Sequence, residues 1–411
     1  MLLDGRTMRE GEADLARLAP GPGGEWGELA AGGTRVPVLA REFWTARQRQ
    51  ASSLHEVSYR ACYKPQLPGL FIDKLTAPGE LVYDPFGGRG TTAVEAALRG
   101  RRVASNDINP LSRLFTEPRL APPDPAAVAL RLQAIPRSGA GAGEPDLGMF
   151  YHPDTEAELR ALRAWLLDRA ARGREDGVDR WIRMVATNRL TGHSPGFFSV
   201  YTLPPNQAAS AGQQRTINAK RNQVPAYRDT HALILRKTTQ LLKGLTAHER
   251  ANLAEAAASA RFLTGDARRT PDLGDRTVTL TVTSPPFLDV VQYAADNWLR
   301  CWFNGIDAQA VGAGITMART LDAWSGVMGE VFRELHRVTR SGGHVAFEVG
   351  EVLRGTVRLE ETVLPLGLAA GFQCLGVLVN RQAFTKTAHI WGVDNNRAGT
   401  NSNRIVLLRK P

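Results

Sequence analysis

The sequence predicts an α/β fold: a doubly wound, mostly parallel sheet with helices on both faces, interrupted by a mostly helical insert. Three observations carry this. GELVYDPF, GGRG, TTAVEAALRGR and RRVASND follow one another as strand, glycine turn, amphipathic helix and strand, the pattern of a right-handed βαβ unit. Much later, ARFLTGDA and RTVTLTVTSPPF are apolar runs of the kind a parallel sheet buries on both faces. Between them, DTEAELRALRAWLLDRAA, VDRWIRMVATNRL and THALILRKTTQLLKGL read as helices around a polar, aromatic and basic loop, far too much chain for an ordinary crossover.

The elements follow in order. Residues 1–40 are rich in Gly, Ala, Pro and charge without a sustained period, and predict a loosely ordered arm or a peripheral helix. Residues 41–110 and 261–411 make the α/β domain, and 111–260 the inserted helical module. In the second part, WSGVMGEVFRELHRVTRSGGHVAFEVG reads as helix, Gly-Gly turn and strand, and CLGVLVNRQ and NRIVLLRK as closing strands. No internal repeat is visible.

With 43% hydrophobic and 22% charged residues over 411 positions, the chain has globular composition. Its formal charge of +10 fits a polyanionic partner and fits an arginine-rich composition equally well. Three cysteines, Cys62, Cys301 and Cys374, lie far apart without neighbouring histidine clusters. That pattern opposes a disulfide framework or a metal site. The charged N-terminus and the lack of a long apolar run oppose a signal peptide or a membrane span, so a cytoplasmic location is expected.

The first βαβ unit has the makings of a nucleotide-like ligand site. Asp84 closes the first strand, Gly87, Gly88 and Gly90 let the backbone turn beneath a ligand, and Thr91 and Thr92 open the helix at its positive end. The spacings G-x-G-x-x-G and G-x-x-x-x-G-K-[ST] are absent, against dinucleotides and ATP. Asp107 ends the second strand, where a carboxylate can take both hydroxyls of a ribose. Asp266, in TGDA, ends the next.

DPFGGRGTT, Asp84 to Thr92, resembles motif I of the S-adenosylmethionine-dependent amino-methyltransferases that act on nucleic-acid bases. The DIN of Asp107 to Asn109 resembles motif II, GDA motif III, and YKPQLPGLFI (Tyr63 to Ile72) motif X, which covers the methionine end of the cofactor. The resemblance covers about Tyr59 to Asp107 and Arg261 to Arg409, and implies a Rossmann-like class I methyltransferase sheet. It implies that Asp84 meets the methionine amine, Asp107 the ribose and Asp266 the adenine. Tyr63, Pro65, Phe86, Gly87, Gly88, Gly90, Thr91, Thr92, Ile108 and Ala267 line the same cofactor. The order X, I, II, insert, III, IV is unpermuted.

In that family the catalytic motif is (D/N/S)PP(Y/F/W), here Ser284-Pro285-Pro286-Phe287. An amine on an aromatic base is a poor nucleophile because its lone pair is delocalised into the ring. The Ser284 hydroxyl and the Pro285 carbonyl can each accept one of its N–H bonds and turn the lone pair outward. The prolines remove competing donors and fix the carbonyl direction. Phe287 offers a face on which an extruded base stacks. Serine at the first position favours the N4 amine of cytosine, transferred by direct displacement without a covalent intermediate. Carbon-5 methylation needs a nucleophilic cysteine, typically after proline, and none of the three cysteines follows one.

These readings imply a site-specific methyltransferase of duplex DNA, nucleoid-associated through that DNA, with a separately acting restriction endonuclease as an optional partner and with no metal. Adenine N6, an RNA base amine and a catalytically silent nucleic-acid-binding relative stay open as alternatives. The loop bearing Arg215, Lys220 and Arg221 is read as the DNA contact of a target-recognition module. The late run TKTAHIWGVDNNRAGTNSNR is a second candidate contact. Asp289, Tyr293 and Asp296 could line the pocket, although a packed helix explains them better. His193 and His336 are read as structural.

Overall fold

The computed structural model describes residues 8–19, 21, 23–44, 51–59, 62–139, 143–203, 208–286, 293–315, 318–352, 357–381 and 402–411. Helix α1 (Met8–Leu18) precedes a hairpin of β1 (Glu25–Ala31) and β2 (Thr34–Arg41). Then come α2 (Gln66–Leu75), β3 (Leu81–Asp84), α3 (Thr91–Leu98) and β4 (Arg102–Asn106). A helical stretch follows: α4 (Pro110–Leu120), α5 (Pro125–Ala134), α6 (Pro153–Ala171), α7 (Gly177–Arg189), α8 (Ala211–Arg221), α9 (Thr230–Leu241) and α10 (Ala247–Ser259). The α/β pattern resumes with β5 (Arg261–Leu263), β6 (Val278–Thr283), α11 (Tyr293–Asn304), α12 (Ala308–Gly314), α13 (Leu321–Val338) and β7 (Thr339–Val349). A short ribbon of β8 (Glu351–Val352) and β9 (Val357–Arg358), then α14 (Leu359–Ala369), β10 (Gln373–Arg381) and β11 (Ser402–Arg409) close the chain.

Among the described residues one nine-stranded sheet has the order β1-β2-β10-β11-β7-β6-β3-β4-β5. Strands β5, β4, β3, β6 and β7 are parallel neighbours, β11 runs antiparallel between β7 and β10, and β2 pairs parallel with β10. The chain moves outward from β3 to β5 and then returns to β6 on the other side of β3. That reversal makes a topological switch point between β3 and β6, the position at whose carboxyl end open α/β sheets bind their ligands. The fold is thus α/β and Rossmann-like, as expected.

Side chains alternate between two cores. Val82, Val103, Leu280, Val282 and Ala346 face the cluster that contains α2, α3 and α4, while Leu81, Tyr83, Val345, Phe347 and Val349 face α13 and α14. The first cluster runs without a break into Trp181, Ile182, Leu159 and Ile234 of the insert. Helices α4 and α10, inside the expected 111–260 module or at its boundary, lie against β4 and α3, so the insert shares its core with the sheet.

Two expectations need correction. Much of 1–40 is no loose arm: α1 packs on β2 and β10, and the hairpin extends the sheet through Val38↔Val377 and Leu39↔Leu378. Its apolar positions Leu29, Val36 and Leu39 are buried, but the runs are short and broken by Gly and Pro, so no period shows in sequence. The Gly-Gly pair is no turn between α13 and β7 either. The strand begins at Thr339, directly after the helix, and Gly342 (φ 75°) sits in an irregularity within it, where Val278↔Thr339 gives way to Leu280↔His344.

Candidate active site

At the switch point DPFGGRGTT and TSPPF meet through one carboxylate. Asp84, at the end of β3, is 1% exposed. Its Oδ1 accepts the Thr283 hydroxyl of β6 at 2.6 Å and the Phe86 amide at 3.1 Å, and its Oδ2 accepts the Tyr63 hydroxyl at 2.9 Å. Tyr63 OH also lies 2.6 Å from Thr92 Oγ1, which reaches the Val282 carbonyl at 3.0 Å. Burial pushes the Asp84 carboxyl up, against the downward pull of the bonds from Thr283 and Tyr63. The Thr92 side chain bonds the carboxylate as well, so the roughly four acceptor positions it offers are taken within the protein.

The glycine turn needs its glycines. Gly87 donates to the Asn106 carbonyl at 2.8 Å, and Gly90 donates to Gly87 at 2.6 Å. Gly88 (φ 51°) and Gly90 (φ 76°) take left-handed conformations that other residues adopt only with strain. A Cβ on Gly87 would collide with Ser105 Oγ, and one on Gly90 with Thr116 Oγ1. Gly90 caps α3 without a side-chain bond, which leaves the first-turn amides to whatever lies above the loop. Arg89 braces the loop from below, donating to Val57 at 3.0 Å and Tyr63 at 3.4 Å. The fully buried Arg119 holds the carbonyls of Phe115 (2.8 Å), Leu54 (3.0 Å) and Arg89.

Asp107 lies just beyond β4. Its Oδ2 accepts the Gly88 amide at 2.8 Å and its Oδ1 the Asn109 amide at 2.9 Å. Burial pushes its carboxyl up to about 6; the two amide bonds lower it and the charge of Asp84 adds to the rise. Asn109 in turn donates to Tyr59 OH at 2.7 Å and accepts from Tyr293 OH at 2.6 Å. Tyr293 is buried and hydrogen-bonded, as its packing reading expected. Ile108 stands beside Gly314 of α12.

Asp266 is placed near this group by Gly265, whose amide donates to the Asp107 carbonyl at 3.2 Å. Its carboxylate is already engaged. Arg268 forks onto it, with Nε at 3.0 and 2.9 Å and Nη2 at 2.5 Å, and holds it below the usual carboxylate range. Ala267 is buried against the second core. Sequence reading had no signal for the Arg268 pairing, because an arginine two residues on looks like a solvated charge.

Tyr63 and Pro65 lead into α2, where Pro65 is the cap and offers no side-chain bond. The next residue, Gln66, has both amide atoms buried without a hydrogen-bond partner.

Ser284, Pro285 and Pro286 follow β6 directly, and Pro286 accepts the Trp324 indole N–H at 3.0 Å. Phe287 and Asp289 lie outside the described residues. Sequence reading missed Glu348, at the end of β7. It is 6% exposed, hydrogen-bonds the Ser284 side chain, and accepts from Asn403 Nδ2 at 2.9 Å. Burial pushes its carboxyl up. The only sequence signal was a lone acid in the apolar strand HVAFEVG, a position that normally needs a partner.

The insert reaches this corner through α11. Ala208 N donates to the Asp296 carbonyl at 3.0 Å, Trp298 Nε1 donates to Ala209 at 3.0 Å, and Arg163 Nε donates to Trp302 at 2.8 Å. Arg215, Lys220 and Arg221, expected in a loop, lie on α8, because Ser210 and Gln213 form a capping box that starts a helix. Arg215 pairs with Asp146 at 3.0 Å, Arg221 stacks 3.8 Å over the Tyr201 ring, and Lys220 is exposed. Of the two histidines, His336 packs edge-on against Phe372 and His193 is exposed beside Phe197. The late basic run is largely outside the described residues. No helix among the described residues is long and apolar enough to cross a membrane.

Comparison with known proteins places this site in context. Residues 36–112 match the N6/N4 methyltransferase family model, described as DNA methylase. The type II methyltransferase M.MvaI of Kocuria varians is 35% identical over 74 residues. That match spans 17% of this chain and 16% of the relative, so the chain matches about a sixth of the relative's length. Among solved structures, a protein of Thermus thermophilus provisionally assigned as a DNA modification methylase is 24% identical, covering 36% of this chain and 51% of that one, with a TM-score of 0.21. A TehB-like methyltransferase of Corynebacterium glutamicum is 9% identical over 84% of this chain and 87% of that one, with a TM-score of 0.31.

Gly90→Ala should destabilise the fold by about 3 kcal/mol, from the left-handed backbone and the collision with Thr116 together. Urea unfolding of the two proteins checks this, and a loss under about 0.5 kcal/mol would mean that the turn relaxes freely.

Proposed function

We propose that this chain is an S-adenosylmethionine-dependent DNA methyltransferase that modifies the exocyclic N4 amine of a cytosine turned out of the duplex. The observation that carries it is the Asp84–Thr283 bond, which sets the glycine turn and the Ser284 corner side by side at the switch point. The match of residues 36–112 to the DNA methylase model supports the same reading.

The residues present fit the cofactor. The open first turn of α3 and the glycine cradle suit a ligand lying over the loop. Both Asp107 oxygens keep acceptor capacity for ribose hydroxyls, since each takes one backbone amide. At Asp266 an adenine amine must displace one of the Arg268 bonds. When bound, S-adenosylmethionine supplies an electrophilic methyl group on a sulfonium.

The protein's own contribution is orientation. Glu348, buried and hydrogen-bonded to the Ser284 side chain, accepts from that hydroxyl, which keeps its proton and leaves its lone pairs for an amine N–H. The Pro285 carbonyl accepts the second N–H. The amine lone pair then turns out of the ring plane, and most of the rate comes from this placement. The Trp324 bond to Pro286 holds the corner still.

Cytosine is favoured over adenine because Ser284 stands where an acid or asparagine usually serves adenine. Bases hydrolysed from DNA of cells with and without the gene, read by mass spectrometry, should show N4-methylcytosine only with the gene. N6-methyladenine in its place would assign the other amine. Ser284→Ala should lower kcat by about a hundredfold or more while cofactor binding, followed by calorimetry, stays near that of the parent. Lost cofactor binding would contradict the assignment of the corner.

Glu348→Gln should lower kcat about tenfold with little change in cofactor affinity, because it frees the Ser284 hydroxyl to rotate. An unchanged kcat would remove Glu348 from the mechanism.

Cofactor affinity should fall as pH drops through about 6, where Asp107 takes a proton, and Asp107→Asn should flatten that dependence. Stability carries the opposite sign. A carboxyl raised above its ordinary value of about 4 contributes stability that is complete below about 4 and lost as pH rises through about 6. Calorimetric titration at several pH values, with thermal melts beside it, separates the two.

A further inference from the structure

Between Asp179 and Asp229 the sequence holds no acid in 49 residues, although acids make up 41 of 411 overall. The same stretch holds seven lysines and arginines, four of them at Arg215, Lys220, Arg221 and Arg228. So long a run without negative charge matches a polyanion. Three of the exposed large hydrophobic side chains among the described residues fall in it as well: Tyr201 (40%), Val224 (85%) and Tyr227 (47%).

Tyr201, Arg221 and Val224 stand on one braced knob. The Arg221 guanidinium lies 3.8 Å over the Tyr201 ring. The side-chain amides of Gln214 and Gln223 both donate to the Tyr201 carbonyl, at 3.0 and 2.8 Å. Asn218 Oδ1 accepts from both glutamines at 2.8 Å, and its Nδ2 anchors to Met149 at 2.8 Å. These bonds brace an exposed surface on a helix that is anchored to the main core through Ala211 and Ile217. A ring with a cation held over it, and an exposed aliphatic side chain on the residue after Gln223, which braces the Tyr201 carbonyl, has the chemistry of a nucleobase platform. It also resembles the apolar wedges that unstack a duplex. Lys220, exposed on the same helix, has the chemistry of a phosphate contact.

We propose that Tyr201, Arg221 and Val224 form a base-contacting knob that packs against unstacked nucleobases at the target site. The proposal rests on the DNA reading above. The knob is tied to the helix that follows the Ser284 corner, since Ala208 and Ala209, just beyond it, bond to Asp296 and Trp298 of α11.

The test is binding of the full chain, by fluorescence anisotropy across a salt series, to a mixed-sequence DNA duplex and to the same duplex with a mismatched bubble. The parent should bind the bubble more tightly. Tyr201→Ala combined with Val224→Ser should reduce that preference about tenfold without altering the salt slope. Lys220→Ala should lower the slope by about one and keep the preference. Thermal melts establish that the variants are folded, and Val224→Ser alone serves where the double variant is not. A folded apolar variant that keeps the full bubble preference overturns the knob while leaving the DNA reading intact. A parent that binds neither DNA overturns the DNA reading and the knob with it, and stronger binding to the same bubble in RNA reassigns the partner.

Discussion

The rest of the site depends on one buried carboxylate. Asp84 ends β3, and its oxygens hold the end of β6, the start of its own loop and the approach to α2. No apolar residue there could do this, because three donors from three segments would be left unpaired in a dry place, each at a cost of about 1–3 kcal/mol. The charge is itself uncomfortable, as its upward-shifted carboxyl shows. The bonds compensate for that discomfort and in doing so fix the two strand ends at the switch point.

The insert cannot be treated as an accessory. Its apolar side chains continue the core on one face of the sheet, and its loop bonds to the backbone and indole of α11. The entry to α11 lies a few residues beyond the Ser284 corner. A force applied to the outer surface of the insert therefore acts on the helix that follows the Ser284 corner in the chain, and the two parts settle together. Arg300 adds to this, lying near the rings of Tyr59 and Phe115 and donating to Ser58.

Legibility in sequence followed locality. The βαβ unit, the glycine turn and the strand-end acids were readable because spacing along the chain sets them, and β3, α3, β4 and β6 lie where the pattern put them. Three of the inserted helices, α6, α7 and α9, were readable from period, whereas α4, α5, α8 and α10 were not read. What stayed hidden was decided by partners distant in sequence. Glu348 matters because β7 runs beside β6, a neighbour only the sheet order supplies. Asp266 looked free because nothing in TGDARR says that Arg268 folds back onto it. Helix α8 hid in a polar stretch because its period is weak, although its capping box was there to be read.

The hairpin at the start of the chain carries a consequence for solubility. Strand β10 is buried along nearly its whole length, and its outer hydrogen-bonding row is covered only because β2 lies against it. Strand β1 then faces outward with Glu25 and Glu28 in ion pairs to Arg381 and Arg35, the charged trim that keeps a sheet edge from recruiting another chain. Without those first forty residues the sheet would end in CLGVLV, a bare apolar ribbon open to self-association. What reads in sequence as a loose arm thus serves, through its hairpin, as the guard rail that keeps this sheet from growing.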